Sequence, residues 1–395
     1  ASFIALLVIL GISFHNYSFL VESPDAAEAE VCFDLPTETY SDTDNSGKLE
    51  DADRLPEIFT PSEWDELGFP VISEKLAIGL QHQLRVLKAT GSQDKERAGN
   101  LSIRVGEMKA VIDILLKNKG MQPKDLNQYL DAYQVWGGDK EGNVKFTGYF
   151  TPVVKVRKEK TGKYKYPIYA YPEDWQGQLP SRREIDAKGA LAGKGYELAY
   201  AANKVDVYIM QLQGSGWVQF QETGERQLFT YAGQNCHPYR NIEKFFKSRS
   251  YLGVQNVSLD NISRYLAKNP QMVDSVLFYN PSYTFFLPKK GLAKGAGMVP
   301  LLEDISIAAD PRFFPLGSVV LAAFPVVKNG KVSHHEYRIF LPQDTGGAIK
   351  GAGHVDVYSG NGDLGLAKAS ALHHYGRLWI LKPKKDERVA LNEAF

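Results

Sequence analysis

Apolar residues recur every three or four positions between residues 74 and 135. Leu84 and Leu87 belong to the first part of this pattern, and Ile112 and Leu115 belong to the second. Residues at this spacing lie on one face of an α-helix, so the pattern predicts helices that pack against a core.

The segment DLNQYLDAYQVW, residues 125–136, predicts a further helix with Asp125 as its N-cap. Beyond Thr147 the pattern changes to short runs rich in Val, Tyr and Ile that Gly and Pro separate, as is typical of β-strands. The first of these runs are YPIYA, ELAYAAN, VDVYIMQLQ and WVQF.

Helical patterns return in NIEKFFKSR and between Leu259 and Leu277, and further β runs follow Pro300. These later runs are SVVLAAF, YRIFLPQ, HVDVY and RLWILK. The order lacks the regular alternation of strand and helix that marks a parallel doubly wound sheet. We therefore predict a mainly β protein with helices, in which a β-barrel is decorated by the helical segments.

The N-terminal part combines an apolar run with an acidic stretch. ASFIALLVILGISF carries no charge but is short for a membrane span, so residues 1–21 predict an export signal or an uncleaved membrane anchor. Residues 22–60 are rich in Asp, Glu, Ser, Pro and Thr and predict a disordered acidic linker. We expect an exported protein of the periplasm or cell envelope, associated with a membrane through its N-terminus if this segment is an anchor.

Within the predicted linker, DTDNSGKLEDAD has oxygen-bearing residues at the spacing of a calcium-binding loop. The ligands would be Asp42, Asp44, Ser46 and Asp53. No amphipathic helix flanks the segment, and Asp stands where such a loop normally ends in Glu. A solvated acidic linker is therefore the favoured interpretation, and a calcium site stays the alternative.

The chain is neutral overall, but its charge is uneven. Residues 22–57 contain twelve acidic side chains against two basic ones, so the rest of the chain carries ten positive charges in excess. A basic body suits an anionic polymer such as a cell-wall glycan with peptide carboxylates, although a solvated surface of mixed charge is the commoner explanation of such a count.

Several familiar catalytic and cofactor-binding motifs are missing. GALAGKG has neither the spacing nor the Ser or Thr of a phosphate-binding loop, and the glycines of DTGGAIKGAG do not open a helix after a strand. The eight histidines form no HExxH pattern, and no GxSxG elbow is present. We therefore expect no metal, no cofactor and no nucleic-acid partner.

What remains is a set of aspartates in apolar, Gly-rich surroundings. Asp310 lies in SIAADPRFFPLG, Asp344 in LPQDTGGAIKG and Asp356 in GHVDVYSG. Asp310 precedes a proline, where aspartate most often serves a turn. Asp356 shares one face of a predicted strand with His354 and Tyr358, so the strand can bury its valines and present the carboxyl group to a cleft.

A carboxyl group held between apolar walls and near a second carboxylate has a raised pKa and can act as a general acid. Asp356, with Asp344 as the second carboxylate, fits this description, and the cleavage of glycosidic bonds requires such an acid. Buried aspartates also pin loops, so the residues alone leave both interpretations open.

At these residues the sequence resembles the membrane-bound lytic murein transglycosylase A family, glycoside hydrolase family 102, whose C-terminal part is a three-aspartate domain. The resemblance extends from Thr147 to Pro383. Its landmarks, in chain order, are TGYFTPV, YPIYAYP, LPSRREI, DVYIMQLQGSGWVQF, YAGQNCHPYR, NPSYTFF, DPRFFPLG, DTGGAIKGAGHVDVYSG and HHYGRLWIL.

The resemblance implies a double-psi β-barrel with a second, smaller β domain inserted into it and a groove for a glycan between the two. On this chain the barrel would combine residues 75–150 with residues 289–385, and the inserted domain would be residues 151–288. The implied activity is that of a lytic murein transglycosylase, a carbon–oxygen lyase that acts on the glycan strands of peptidoglycan. We expect a monomer.

Carried over residue by residue, the catalytic aspartate of the family falls on Asp356, and Asp344 and Asp310 match its supporting aspartates. Trp217 or Tyr283 would stack on sugar rings if exposed, and packing in the core is an equal alternative for each. Substrate-binding positions are expected at Thr147, Tyr149, Gln213 and Ser215, with Lys350 as a further sugar contact.

The implied reaction needs one carboxyl group rather than the two of most glycosidases. Asp356 would protonate the oxygen that joins N-acetylmuramic acid to N-acetylglucosamine. As a carboxylate it would then take the proton from the C6 hydroxyl of the muramic residue, which closes a 1,6-anhydro ring. Two alternatives stay open, namely an inverting β-1,4-glycan hydrolase on the same fold, with Asp344 activating water, and a non-catalytic cell-wall-binding protein.

Overall fold

The structure is a computed structural model that describes residues 59–62, 70–89, 96–121, 123–249, 259–328, 331–346 and 349–384. The predicted export signal, most of the predicted linker, the calcium-like loop and Cys32 lie outside these residues. The first strand, β1 (Phe59–Ser62), includes the last two residues of the predicted linker. No helix in the described part is both long and apolar enough to cross a membrane.

The other strands in the described part are β2 (Glu96–Ala98), β3 (Leu101–Ile103), β4 (Leu130–Val135), β5 (Val144–Thr151), β6 (Val153–Arg157), β7 (Tyr166–Tyr169), β8 (Glu197–Ala201), β9 (Ser215–Phe220), β10 (Arg226–Gln234), β11 (Thr284–Lys289), β12 (Ser306–Ala308), β13 (Val320–Lys328), β14 (Lys331–Asp344), β15 (His354–Asn361) and β16 (His373–Pro383). The α-helices are α1 (Glu74–Ala89), α2 (Val105–Lys117), α3 (Arg182–Asp186), α4 (Lys204–Gln213), α5 (Ile242–Lys247), α6 (Leu259–Lys268), α7 (Val273–Leu277) and α8 (Gly362–Ala371).

The larger sheet closes into a barrel. Its strand order is β1-β4-β16-β13-β14-β12-β15-β5, and β5 pairs with β16 as well as with β15. The first half of β16 pairs with β5 and the second half pairs with β4, so β4 and β1 extend the barrel at one side. The pairs β12–β14 and β15–β5 are parallel, which brings residues far apart in sequence into register.

The smaller sheet is built from the chain between two barrel strands. Its order is β11-β10-β9-β6-β8-β7, and its residues all follow β5 and precede β12. Pro152 separates β5 from β6 at the first crossing, and its carbonyl accepts a hydrogen bond from the backbone of Trp217. The two sheets are therefore joined at the end of β5, which is hydrogen-bonded directly to β15.

Apolar side chains fill separate cores on the two sides of this junction. The barrel core includes α1 and α2, with Leu80, Ile112 and Leu115 fully buried. The helices predicted between residues 74 and 135 are therefore confirmed for these two segments, whereas β2 and β3 lie between them. A second core joins the helices α4 to α7 to Phe150 at the end of β5. The helices predicted in NIEKFFKSR and after Leu259 lie in this core.

The strand predicted for VDVYIMQLQ is wrong, because these residues form α4. The Asn203 side chain accepts a hydrogen bond from the Val205 backbone at the start of the helix, and Gly214 ends it with φ +70°. Its Val and Tyr content favours a strand locally, but the two caps and the burial of eight of its ten residues in the surrounding cores decide the outcome. The buried residues at helical spacing are Val205, Tyr208, Ile209 and Leu212.

The helix predicted for residues 125–136 is also wrong. Pro123–Gln128 form a short 3-10 helix, and the chain then continues as β4. Leu130 and Ala132 are buried on alternate positions, and β4 is hydrogen-bonded to β1 on one side and to β16 on the other. Pairing with strands distant in sequence thus overrides the local helical pattern.

Candidate active site

The strand β15 carries Asp356 on the face opposite its core valines. Val355 and Val357 are 0 % and 2 % exposed and belong to the barrel core. Side chains alternate along a strand, so Asp356 lies on the other face with His354 and Tyr358, as the sequence predicts. The Asp356 residue is only 3 % exposed, so its carboxyl group is buried on that face.

Parallel pairing with β5 places Thr147 opposite Asp356. The Thr147 hydroxyl donates a hydrogen bond of 2.9 Å to Asp356 Oδ1. Burial raises the pKa of the Asp356 carboxyl to about 8; the Thr147 hydrogen bond opposes this shift, and the charge of Asp344 adds to it. Asp356 therefore holds its proton at neutral pH, as a general acid must.

The second carboxyl group of the site is that of Asp344, the last residue of β14. It is 0 % exposed, and Oδ1 accepts hydrogen bonds from the backbone of Ala296 at 2.9 Å and Thr345 at 2.8 Å. Oδ2 accepts a hydrogen bond of 3.0 Å from the Tyr149 hydroxyl. Burial raises the pKa of Asp344 to about 7 despite these three hydrogen bonds.

The approach of the Ala296 backbone to Asp344 depends on a glycine. A Cβ on Gly295 would lie 2.4 Å from the Gln343 carbonyl oxygen and 2.8 Å from Asp344 Cβ, closer than real Cβ atoms come. Only glycine lets this loop lie against β14 without a shift, which brings the Ala296 N–H within hydrogen-bonding distance of the carboxylate.

Asp310 holds a neighbouring loop rather than contacting the other two aspartates. It is 2 % exposed and pairs with the Arg312 guanidinium, and its Oδ2 accepts a hydrogen bond of 2.8 Å from the Gly351 backbone. Burial alone would raise the pKa of Asp310, but the hydrogen bonds from Arg312 and Gly351 outweigh it and lower the pKa. The ionised carboxylate thus ties the turn after β12 to the loop that leads into β15.

The sequence of this chain is similar to those of a known group of proteins. Membrane-bound lytic murein transglycosylase A of Escherichia coli strain K12 is 40% identical over 268 residues, which are 67% of this chain and 72% of that protein. The chain belongs to the membrane-bound lytic murein transglycosylase A family. The protein of the same name from Vibrio cholerae is 39% identical over 264 residues, 66% of this chain and 71% of its own length.

Family models and a solved structure agree with this assignment. The MltA specific insert domain matches residues 145–287, and the 3D domain matches residues 305–382. The crystal structure of E. coli MltA with bound chitohexaose superimposes with a TM-score of 0.72 at 32% identity, covering 84% of this chain and 96% of that one. The resemblance and the mainly β fold with helices that the sequence predicted are therefore confirmed.

In this member of the lytic murein transglycosylase A family, two aromatic rings lie beside the carboxyl groups. The rings of Tyr149 and Tyr358 are 5.3 Å apart between centroids. The Tyr358 hydroxyl lies 2.9 Å from the Thr151 hydroxyl and donates to Asn361 Oδ1 at 3.2 Å. Trp217 Nε1 of the smaller sheet donates to the same Asn361 oxygen at 3.2 Å. Asn361 thus connects the barrel with the smaller sheet near the site.

The predicted binding positions fall into three groups. Thr147 and Tyr149 lie with the two central carboxyl groups, whereas Gln213 and Ser215 lie where α4 ends and β9 begins. Lys350 is exposed in the loop between β14 and β15. Gln213 is 2 % exposed, and within the described structure neither atom of its side-chain amide has a hydrogen-bond partner.

The two aromatic residues considered for sugar stacking differ in burial. Tyr283 is 1 % exposed and packs against Phe285 and Tyr169 in a core beside the smaller sheet, so core packing is its role. Trp217 is half-buried and has its indole N–H at Asn361, beside the carboxyl-bearing face of β15.

Two residues near the carboxyl groups were not singled out from the sequence as site residues. His354 Nε2 lies 2.8 Å from the Thr147 hydroxyl, and Asn361 receives the hydrogen bonds from Tyr358 and Trp217. The alternation of HVDVY placed His354 on the face of Asp356, but its contact with Thr147 depends on the pairing of β15 with β5. Among the described residues, no three His, Cys, Asp or Glu side chains are grouped so as to hold a metal ion.

Proposed function

We propose that the chain is a peptidoglycan lytic transglycosylase that cleaves the β-1,4 bond between N-acetylmuramic acid and N-acetylglucosamine, with Asp356 as its acid and base. The buried, protonated Asp356 carboxyl group carries this proposal. Its raised pKa keeps a transferable proton at neutral pH. The chain also belongs to a family whose members are named for this activity.

In the first step Asp356 gives its proton to the glycosidic oxygen. The bond from that oxygen to the muramic C1 breaks, its electron pair goes to the leaving N-acetylglucosamine oxygen, and C1 gains oxocarbenium character. Asp356 is left as a carboxylate that the Thr147 hydroxyl stabilises at Oδ1. A positioned acid of this kind contributes about 10²- to 10⁴-fold to the rate.

In the second step the same carboxylate acts as a base. It takes the proton from the C6 hydroxyl of the muramic residue, whose oxygen attacks C1 and closes the 1,6-anhydro ring. Asp356 is protonated again and ready for the next cleavage. Attack from within the same sugar removes the need for a bound water and a second base.

Asp344 supports this chemistry as a fixed neighbour of Asp356. Its two oxygens already accept three hydrogen bonds from protein groups, and its side chain is 0 % exposed. The inverting hydrolase would need Asp344 to bind and deprotonate a water, for which this carboxylate has little free capacity. The geometry therefore favours the transglycosylase.

We assign Gln213 to the recognition of an N-acetyl group. Its amide nitrogen and oxygen have no partner among the described residues, although burying such groups unpaired costs about 1–3 kcal/mol. An acetamido group offers the complementary acceptor and donor. Exposed Lys350 is proposed as a contact for glycan oxygens or carboxylates, with Ser215 beside Gln213 as a further hydrogen-bonding group.

We place the protein at the cell envelope, where peptidoglycan lies. The relatives it matches are named as membrane-bound. Export by residues 1–21, and attachment to a membrane through them, are parts of this proposal.

The test compares the full chain with its Asp356→Asn variant on purified peptidoglycan. Asparagine keeps the shape and an acceptor for Thr147 but has no proton to transfer. We expect the release of soluble muropeptides to fall at least about 10²-fold, while binding to sedimented peptidoglycan is unchanged. Mass spectrometry should find 1,6-anhydromuramic ends in the wild-type products.

The matched control is Asp260→Asn, which changes an aspartate on α6 that pairs with Arg264 on the same helix. This variant should keep wild-type turnover. Equal turnover by Asp356→Asn and the control would exclude Asp356 as the acid, and wild-type protein that binds without releasing products would favour the non-catalytic binding protein.

A further inference from the structure

A chain of two hydrogen bonds leads from a histidine to the carboxyl group of Asp356. His354 Nε2 is 2.8 Å from the Thr147 hydroxyl oxygen, which is 2.9 Å from Asp356 Oδ1. His354 and Asp356 lie on the same face of β15, and Thr147 lies opposite Asp356 on β5. Thr147 is 0 % exposed, so its hydroxyl is shielded from bulk solvent.

The direction of these hydrogen bonds follows from proton counting. A threonine hydroxyl has one proton, and here it is donated to Asp356 Oδ1. The Thr147 oxygen can then only accept from His354, so Nε2 of the imidazole must carry a hydrogen. Burial lowers the pKa of His354 to about 3, and Lys145 adds to this effect, so the ring is neutral and carries one hydrogen. The direction of the hydrogen bond from Thr147 to Asp356 is what puts that hydrogen on Nε2.

The tautomer of His354 decides which oxygen of Asp356 holds the acidic proton. With the Thr147 proton directed at Oδ1, that oxygen is an acceptor, and the proton of the neutral carboxyl group resides on Oδ2. The opposite tautomer, with Nε2 unprotonated, would attract the Thr147 proton to the histidine and turn an oxygen lone pair toward Asp356.

We propose that His354 is a positioning residue, which acts through the Thr147 hydroxyl to hold the transferable proton of Asp356 on Oδ2. This inference rests on the proposed function, because it concerns the acid of that reaction. After proton transfer the same pair stabilises the carboxylate at Oδ1 and leaves Oδ2 to accept the C6 proton.

Other ionisable groups lie on the strands around these three residues. They are Lys145 and Tyr149 on β5, Tyr358 on β15, Asp344 on β14, and His373 and His374 on β16, which pair with Thr147 and Phe146. A test of His354 must therefore separate its action through Thr147 from a general change in this surface.

The test uses His354→Phe, Thr147→Val and their combination in the full chain. His354→Phe keeps a ring but loses the N–H donor, and we expect kcat to fall about ten-fold with an unchanged KM, as for loss of one buried hydrogen bond. The pKa of the alkaline limb of the kcat profile should rise, because the Asp356 carboxylate loses part of its stabilisation. His354→Gln can restore an N–H near the Nε2 position and should recover most of the rate.

The double variant distinguishes positioning from support of the fold. If His354 acts through Thr147, adding His354→Phe to Thr147→Val produces no further loss. A full additional loss in the Thr147→Val background would overturn the proposal, as would failure of His354→Gln to recover more activity than His354→Phe. Thr147→Ser, which keeps the hydroxyl, should retain the dependence on His354 if Thr147→Val does not fold.

A measurement on the resting protein needs no turnover. Nitrogen NMR of labelled histidine should show His354 neutral with the hydrogen on Nε2 at pH 6, and a hydrogen on Nδ1 alone would overturn the proposal. If wild-type protein lacks 1,6-anhydro products, the proposed function fails and this inference with it. If the wild-type protein forms 1,6-anhydro products but His354 carries its hydrogen on Nδ1, only the inference about His354 is rejected. The same holds if the losses of His354→Phe and Thr147→Val add up in the double variant.

Discussion

At the scale of single residues, the site keeps two buried carboxyl groups in different states of hydrogen bonding. Asp344 accepts three hydrogen bonds, whereas Asp356 accepts one from Thr147 in addition to any it makes with a substrate. Burial raises the pKa of both, and the charge of Asp344 raises that of Asp356 further, to about 8. The carboxyl group that accepts fewer hydrogen bonds thus has the higher pKa of the two.

This arrangement predicts that Asp356 makes the protein less stable as the pH rises. Its pKa moves from 3.8 in the unfolded chain to about 8 in the folded protein, so folding takes up a proton between these values. The free energy of unfolding therefore decreases across that window, and Asp356→Asn removes this contribution. We expect the variant to match wild type near pH 4 and to exceed it by about 1.4 kcal/mol or more at pH 9.

Urea unfolding at a series of pH values measures this difference, with Asp260→Asn as the variant that should follow wild type throughout. Because the acid loses its proton in the same range, we expect wild-type turnover to decline as the pH rises through about 8. A stability difference between Asp356→Asn and wild type that stays constant with pH would contradict the raised pKa.

At the scale of elements, close backbone approach sets the geometry of the carboxyl groups. Gly295→Ala would place a Cβ 2.4 Å from the Gln343 carbonyl and force the loop away from Asp344. We expect a loss of about 1–3 kcal/mol in the free energy of unfolding and lower turnover. Gly106→Ala on α2 is the matched control, because its Cβ meets nothing within 4 Å and alanine favours a helix.

Thermal unfolding and muropeptide release measure the two effects. Gly106→Ala should leave turnover unchanged and stability equal or higher. A Gly295→Ala protein as stable and active as wild type would show that Asp344 does not depend on this contact.

The sequence predicts most elements correctly where the pattern is long or well bounded. The alternation in HVDVY gave β15 and the face of Asp356, and the spacing in residues 74–117 gave α1 and α2. Both failures occur in short segments rich in Tyr, Val and Leu. In α4 the end caps outweigh β propensity, and in β4 pairing with distant strands outweighs helical spacing.

The candidate site was predictable only in part for a similar reason. Asp356 and Asp344 stand out by their local surroundings, and the resemblance supplied Thr147 and Tyr149. The contact of His354 with Thr147 and that of Trp217 with Asn361 join strands more than a hundred residues apart. Such contacts depend on sheet register, which a single sequence does not reveal.

At the scale of the whole molecule, the smaller sheet contacts the end of β15, the strand that carries Asp356, through Trp217. Its indole N–H donates to Asn361, which also accepts from Tyr358 beside Tyr149. We infer that this contact helps to hold the barrel and the smaller sheet at the separation that a glycan strand requires.

Trp217→Phe keeps an aromatic ring but removes the N–H, and we expect KM for glycan substrates to rise about five-fold, as for loss of about 1 kcal/mol. Trp175→Phe is the matched control, because the Trp175 indole N–H donates to the nearby Gln178 carbonyl and makes no contact with the barrel through this hydrogen bond. Steady-state kinetics on soluble glycan fragments would measure both. A KM for Trp217→Phe equal to that of the control would argue against a role for the contact between lobes.

In the proposed reaction, Asp356 directs the sugar's own C6 hydroxyl, and not water, to the muramic C1. Digestion of purified peptidoglycan in water enriched in heavy oxygen, followed by mass spectrometry of the new glycan ends, tests it most directly. We expect 1,6-anhydro ends without heavy oxygen from the wild-type chain and hardly any new ends from Asp356→Asn. Reducing ends that carry heavy oxygen, or undiminished products from Asp356→Asn, would contradict it.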